Sequence, residues 1–360
     1  AFAVLPWHAP AVSLPHAVVE EAHARLRDVI AEGLRPKAMS EFVLFATEVT
    51  WAVSFAGLPS AVALAAAAEA ALARIGVALD TAEPMALSPL ELCPCKSSEP
   101  RVVLELPDRL VVQKPASWEV DTDSEALLAE SGQSGGLPLW RFLSARTPRR
   151  RILCDAERRY GCLHRLDVPS SGLILVAGSY SAYYDLQLQL SIGSLQRDYV
   201  VLCHGWPQRR EICARVLQPR SAWPSLISPR GRPCRTQLGA LQRLRRGASA
   251  FSLLAVCIGT GRRHQIRVHL AHVGHATVCD GRYASAAMLL AERHWCPRNF
   301  LHRWRLKFRD ARGVVVAASA PLPVDLTSAL AQLSTVGSVH DSEVPPWLEK
   351  KLERRQAPQT

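Results

Sequence analysis

The sequence predicts an α+β protein in which a small Ala-rich, all-α N-terminal region precedes a domain built on a mixed, largely antiparallel sheet. Three observations point there. Residues 17–80 are rich in Ala, Leu, Glu and Arg, with apolar positions at helical spacing. Residues 81–100 carry Pro84, Pro89, Pro94 and Pro100 among small and polar residues, a composition that suits a linker. Beyond residue 100, short runs rich in Val, Leu and Ile alternate with helical stretches, the pattern of a sheet with helices packed on it.

Taken in order, the helical periodicity is clearest at 18–26 and 61–75, which makes residues 1–80 a region of two to four packed helices. Within it, Phe45-Ala46-Thr47-Glu48-Val49-Thr50-Trp51-Ala52 faintly resembles the helical repeats of organellar RNA-binding proteins. One degenerate copy is not an array, and an ordinary Ala-rich bundle is the plainer expectation. After the linker, strands are expected at 101–106, 110–113, 173–177, 197–204, 211–217, 251–258, 302–308 and 314–318. Helices are expected at 180–190 and 263–273, and the second domain at 101–335. Residues 336–360 form a charged tail expected to fray.

Lys and Arg number 43 against 32 Asp and Glu, a net charge of +11 with a pI near 9.4, and such a field attracts phosphate polymers. Ten cysteines occur without a Cys-x-x-Cys pair, which argues against a disulfide framework and a zinc ribbon. Cys93-Pro94-Cys95 has no second pair at ligand spacing and reads as linker. Reduced thiols fit an intracellular compartment without choosing among cytoplasm, nucleus, mitochondrion and plastid. The stretch from 49 to 68 has no charge, but Gly57 and Pro59 interrupt it and much of it is alanine. A soluble helical pair, with no membrane partner, is the expectation.

The strongest local signal is His164-Arg165-Leu166-Asp167-Val168-Pro169-Ser170-Ser171-Gly172-Leu173, a carboxylate between a basic loop and the turn that opens an apolar strand. Taken alone, an Asp there caps the turn. The second signal is Gly259-Thr260-Gly261-Arg262-Arg263-His264-Gln265-Ile266-Arg267-Val268-His269, where cations gathered on one short helix are either solvated or paired with an anion.

Together these stretches resemble the RluA-type pseudouridine synthases. The likeness continues through Leu110-Val111-Val112-Gln113-Lys114-Pro115-Ala116, Arg197-Asp198-Tyr199, Gly274-His275, Asp280-x-x-Tyr283, Leu301-His302 and Pro321-Leu322-Pro323, and covers about residues 101 to 330. It implies the catalytic domain of that family and the isomerisation of specific uridines in ribosomal, transfer or messenger RNA, without a cofactor. By the resemblance, Asp167 is the covalent catalyst, an acid already ionised at neutral pH that needs orientation more than activation. Arg267 pairs with it, a bidentate guanidinium fixing the carboxylate plane. Tyr199 stacks under the uracil and helps remove the proton left at carbon 5. Arg165 wedges into the RNA as the base leaves the stack. His164, Arg262, His264 and Lys114 complete the expected RNA-binding set. Arg146, Arg149, Arg150, Arg151, Arg158, Arg159, Arg230, Arg232 and Arg235 are candidates for phosphate contacts.

The sequence departs from the family pattern at Ser117, where glycine is usual, at Ser170 for Thr, at Arg197 for Lys, and at Ala276 and Cys279. These touch loop geometry, and Ser117 strains its turn if φ there is positive. His264, His269, His272 and His275 with Cys279 and Asp280 have the look of metal ligands, but a five-residue step on a helix aligns two imidazoles poorly, and no metal is expected. A basic RNA-binding protein without catalysis is the rival, and it has no need of Asp167, Tyr199 and Arg267 together. A monomer is expected.

Overall fold

The computed structural model describes residues 20–22, 24, 36–58, 60–82, 99–120, 137–147, 149–208, 210–219 and 224–338. Most of the expected linker, Cys93, Cys95 and the tail beyond 338 lie outside the described residues, and of the expected helix at 18–26 only 20–22 and 24 are described, all helical.

Two helices lead the fold, α1 (Pro36–Phe55) and α2 (Ala61–Thr81). The uncharged stretch at 49–68 is divided between them by the turn at 56–60. By length and composition α2 could cross a bilayer, yet its Leu64, Ala68, Leu72 and Ile75, spaced four, four and three apart, form one face buried inside the protein. That face belongs to the same apolar core as Val111, Leu173, Tyr183, Leu186 and Tyr199. Asp80, at the end of α2, accepts from the Tyr180 and Ser181 amides at 2.8 and 3.0 Å and from the Ser181 hydroxyl at 2.6 Å. A carboxylate at a helix N-terminus satisfies orphan N–H groups and the local dipole, so it pins the helical pair to α4 (Tyr180–Ser191).

Eleven strands of the described residues form one sheet, with β1 (Arg101–Glu105), β2 (Arg109–Lys114), β5 (Ser171–Ala177), β11 (Leu301–Arg309), β6 (Gln196–His204), β10 (Ser249–Ile258), β9 (Arg232–Arg246), β7 (Glu211–Leu217) and β8 (Leu226–Ile227) in that spatial order. β12 (Val315–Ser319) adds to β11 and β13 (Ser334–Ser338) to β9. Every pairing in this sheet is antiparallel except β5 with β11, and β3 (Trp118–Glu119) pairs separately with β4 (Leu137–Pro138). The predicted strands are all present. The longest, β9, was not expected, because its outward positions are Arg and Gln and Gly239 interrupts the run. Also unforeseen are α3 (Leu139–Arg146), α6 (Ala286–Glu292) and α7 (Val324–Ala331). The helix expected at 263–273 is the shorter α5 (Gln265–His272), since His264 is left-handed, with φ of +55°.

Alternation along β6 divides the interior. Tyr199, Val201 and Cys203 join the core under α2 and α4, while Val200 and Leu202 pack with Phe251, Trp295, Phe300 and Leu326 on the opposite face. Tyr199 stands directly opposite Arg303 of β11, beside a bulge between Arg303 and Arg305. On the other side of β11, Gly172 pairs with Arg303, and a Cβ there would lie 2.3 Å from the Arg303 carbonyl oxygen. The Ser-Ser-Gly turn therefore needs its glycine: only a hydrogen fits where β5 and β11 meet.

Candidate active site

The loop from Cys162 to Ser170 carries the acidic group, and its backbone is held from several sides. The Ser170 amide donates to the Asp167 carbonyl at 2.9 Å, and the Ser117 amide donates to the Val168 carbonyl at 2.9 Å. Arg303 donates to the Arg165 carbonyl at 3.2 Å. The carboxylate of Asp167, 20% exposed, opens into a cleft of about 910 Å³ that is also lined by Arg165, Tyr199, Arg262, Arg263, His264, Arg267 and Arg303.

Arg267, on the first turn of α5, reaches Asp167 with one arm, Nη1 to Oδ2 at 2.5 Å. Its other edge is bidentate to Asp280, Nε to Oδ2 at 2.8 Å and Nη2 to Oδ1 at 2.7 Å. The expected fork onto Asp167 is thus corrected. The plane of the guanidinium is fixed by the fully buried Asp280, itself held by the Thr277 hydroxyl at 2.9 Å and the Arg282 amide at 2.9 Å. Burial pushes the Asp167 carboxyl up, but the adjacent Arg267 outweighs it and the net pKa lies below the usual carboxylate value. Asp280 is lowered too, burial again being overcome by Arg267.

His264 stands 3.7 Å from Asp167 through Nε2, and its Nδ1 is 3.0 Å from the Tyr283 hydroxyl. That hydroxyl spends its one proton on the Ser225 carbonyl, so Nδ1 of His264 is the donor and Nε2 carries the lone pair. Burial pushes the imidazole pKa down to about 4, which leaves it neutral at pH 7 and Arg267 as the counter-charge of Asp167.

Tyr199, 3% exposed, presents its hydroxyl to Arg303, which donates to it from Nε at 2.9 Å and from Nη2 at 2.5 Å. Arg197 is also buried, donating from Nη2 to the Gly259 carbonyl at 2.8 Å. A Cβ on Gly261 would lie 2.6 Å from Arg197 Nη1, so the arginine tip packs close against this backbone. Arg262 packs over Trp51 of α1, its guanidinium carbon 4.8 Å from the ring centroid, and Glu48 pairs with Arg232 at 2.9 Å. One wall of the cleft is therefore the N-terminal helix, through Leu44, Thr47, Glu48 and Trp51.

One expected RNA contact, Lys114, is placed away from the cleft. Lys114 is 0% exposed, and its ammonium donates to the carbonyls of Trp118 at 2.7 Å, Pro115 at 2.9 Å and Val168 at 3.4 Å. A cation so enclosed cannot reach a phosphate; it ties the turn after β2 to the Asp167 loop. Burial lowers its pKa to about 7. His164 lines the cleft but is buried, with Nδ1 accepting from Arg303 at 2.6 Å, so it supports the loop from inside. Among the phosphate candidates, Arg151 donates to the Leu79 and Ala82 carbonyls at the end of α2, Arg158 pairs with Asp155 and Glu157, and Arg235 pairs with Glu211. Arg159, Arg230 and Arg232 do line the cleft. Sequence reasoning missed Asp280 and Arg303 as site residues. The first carried a signal, its place in Asp280-x-x-Tyr283; the second is one arginine among several in a basic strand.

A solved structure, human RNA pseudouridylate synthase domain containing 1, superposes with a TM-score of 0.52 at 22% identity, covering 74% of this chain and 98% of that one. Sheet, cleft and this likeness define an α+β fold of the pseudouridylate synthase type. A profile of the family described as RNA pseudouridylate synthase matches residues 108–272. An uncharacterized RNA pseudouridine synthase from Mycobacterium bovis is 32% identical over 259 residues, 71% of this chain and 80% of that protein. Ribosomal large subunit pseudouridine synthase D from Nitrosomonas europaea is 31% identical over 184 residues, and the C enzyme from Escherichia coli 32% over 194. The chain belongs to the RNA pseudouridine synthase family, among its RluA-type members. It spans 51% of the length of the Nitrosomonas relative and 58% of one from Chloroflexus aurantiacus.

Proposed function

We propose that this chain isomerises uridine to pseudouridine in RNA, with Asp167 as covalent catalyst on a nucleotide everted into the cleft. The observation that carries this reading is the Asp167 carboxylate, held at 2.5 Å by Arg267 and open to a cleft large enough for a nucleotide. The reaction detaches uracil from ribose at nitrogen 1, turns the base and joins it at carbon 5. A carboxylate fixed by one arm of a guanidinium keeps oxygen lone pairs for attack, whereas a full fork would engage both oxygens.

Tyr199 supports the everted base and takes part in removing the carbon 5 proton. Arg165 occupies the space the base leaves, which offsets part of the few kcal/mol that unstacking costs. Arg262, stacked on Trp51, and the neutral His264 contact the RNA beside the flipped nucleotide, and the basic rim holds its phosphates. Relatives named for the large ribosomal subunit make ribosomal RNA the first substrate class to test. The chain is taken to act as a monomer. The deciding experiment incubates wild type and Asp167→Asn with total RNA and maps pseudouridine chemically. New sites are expected with wild type alone, and an equal signal from both proteins would remove the assignment.

A further inference from the structure

Arg303 uses all five of its N–H groups inside the protein. Nε donates to the Tyr199 hydroxyl, Nη2 to that hydroxyl and to the Arg165 carbonyl, and Nη1 to His164 Nδ1 and to the Leu173 carbonyl at 2.9 Å. It is 2% exposed, and among the described residues no carboxylate pairs with it. A buried cation without an anion is costly, and of the groups it touches only Tyr199 has an anionic form. Arg197, the other buried guanidinium near that ring, likewise has carbonyls and no carboxylate as its partners among the described residues. A phenol oxygen offers two lone pairs and one O–H. With both lone pairs engaged by Arg303, the O–H is turned off the guanidinium, and that remaining position is where a proton can leave or arrive.

We propose that Arg303 is the positioning residue for proton transfer by Tyr199: its fork aims the third site of the phenol oxygen at the cleft and supports that oxygen in its anionic form. The inference rests on the pseudouridine synthase reading above. In the step concerned, the new carbon–carbon bond has left carbon 5 tetrahedral. Its C–H bond breaks and the proton passes to the phenolate oxygen. The released electron pair re-forms the C5=C6 double bond and displaces the C6=N1 pair onto nitrogen 1, which takes a proton from water. The phenol then returns its proton to the hydroxide so formed, and the phenolate is restored.

The test is a double-mutant cycle of Arg303→Ala and Tyr199→Phe, assayed on bulk RNA whose uridines carry hydrogen or deuterium at carbon 5. Arg303→Ala is expected to slow pseudouridine formation about 100-fold or more, as loss of a positioned acid–base group does. The isotope effect is expected to rise above the wild-type value because C–H cleavage becomes limiting. The double variant is expected to be no slower than Tyr199→Phe, since both changes disable one device. Multiplicative losses, or a slowed enzyme with an unchanged isotope effect, would make Arg303 a purely structural tie and overturn the proposal. Should Arg303→Ala not fold, Arg303→Lys, which keeps the charge and loses the fork, enters the same cycle: an intermediate rate with a raised isotope effect supports the proposal, and wild-type behaviour overturns it. Wild type inactive on this RNA would remove the function itself. Activity lost in Asp167→Asn with an additive Arg303 cycle would remove the inference alone.

Discussion

Arg267 and Arg303 are both more than nine-tenths buried, and each touches a side chain assigned a role in the proposed chemistry. Arg267 bonds two carboxylates. Arg303 bonds a phenol, an imidazole and two carbonyls. The first arrangement sets one cation between two carboxylates: Asp280 fixes the arginine, the arginine fixes Asp167, and the Asp167 carboxylate stays ionised. The second is a cation met by neutral acceptors, with no carboxylate among its partners in the described residues. Under the two proposals above, each arginine stands next to the group assigned to react, a carboxylate to attack and a phenol oxygen to collect a proton.

The comparison predicts unequal costs of removal. Arg267→Met leaves two carboxylates facing each other, one of them fully buried, and is expected to destabilise the protein by about 3–5 kcal/mol, the range for breaking a buried ion pair from one side. Turnover is expected to vanish while RNA affinity falls by less than about tenfold, because binding is spread over the cleft arginines. Urea unfolding and filter binding measure the two effects. Arg303→Met strands hydrogen-bond acceptors but also removes an uncompensated charge, so a smaller loss of about 1–3 kcal/mol is expected. A larger loss for Arg303 than for Arg267 would contradict the electrostatic contrast drawn here.

How far each half was legible in the sequence follows from the kind of interaction. Asp167 and Arg267 sit in local motifs, and their pairing across 100 positions could be anticipated from the family likeness. The strands of the catalytic region showed through their Val-rich runs, but β9 did not, because a strand with one wet face of Arg and Gln looks like a surface segment. Lys114 was misplaced for a related reason. A basic residue in a basic chain reads as a phosphate ligand, and only three-dimensional packing reveals that the Lys114 ammonium points inward at carbonyls. Arg303 itself has no sequence signature, since its partners come from β5, β6 and the Asp167 loop. The contribution of α1 to the cleft was likewise invisible, as helical periodicity says nothing about where a helix docks.

Acid bears on both clusters through their histidines. The His164 pKa is lowered well below 6.5, by burial first and by Arg303 second. Below 6.5 the unfolded chain therefore binds a proton that the folded chain refuses; stability from this group is full above that pH and declines as the pH falls. Asp167 and Asp280 have lowered pKa values, so their contribution is full above 3.8 and is lost only beneath it. Between pH 7 and 5 the two carboxylates stay ionised, and each cluster weakens only through its histidine, His164 beside Arg303 and His264, lowered to about 4, beside Asp167. His269 and His302, lowered to about 4 by burial, add a decline of their own, so the informative quantity is a difference. The urea midpoint is expected to fall less from pH 7 to pH 5 in His164→Asn than in wild type. Identical slopes would mean that His164 is not the acid-sensitive member.

The smallest effect concerns the turn that supports the Asp167 side. Ser117 has φ of +67°, a left-handed conformation that strains a residue bearing a Cβ, and its amide holds the Val168 carbonyl one residue from Asp167. Where such strain belongs to the chemistry, relieving it alters turnover; where it is a tolerated accident, relieving it changes stability alone. Arg267 fixes Asp167 through its carboxylate, so the turn is not the only anchor of that side chain. Ser117→Gly is therefore expected to raise stability by about 0.5–1 kcal/mol, read as a higher urea midpoint, with kcat unchanged. A fall in kcat alongside the stability gain would show that the carboxylate depends on this turn as much as on its guanidinium, and the aspartate side of the cleft would lose its claim to be held by charge alone.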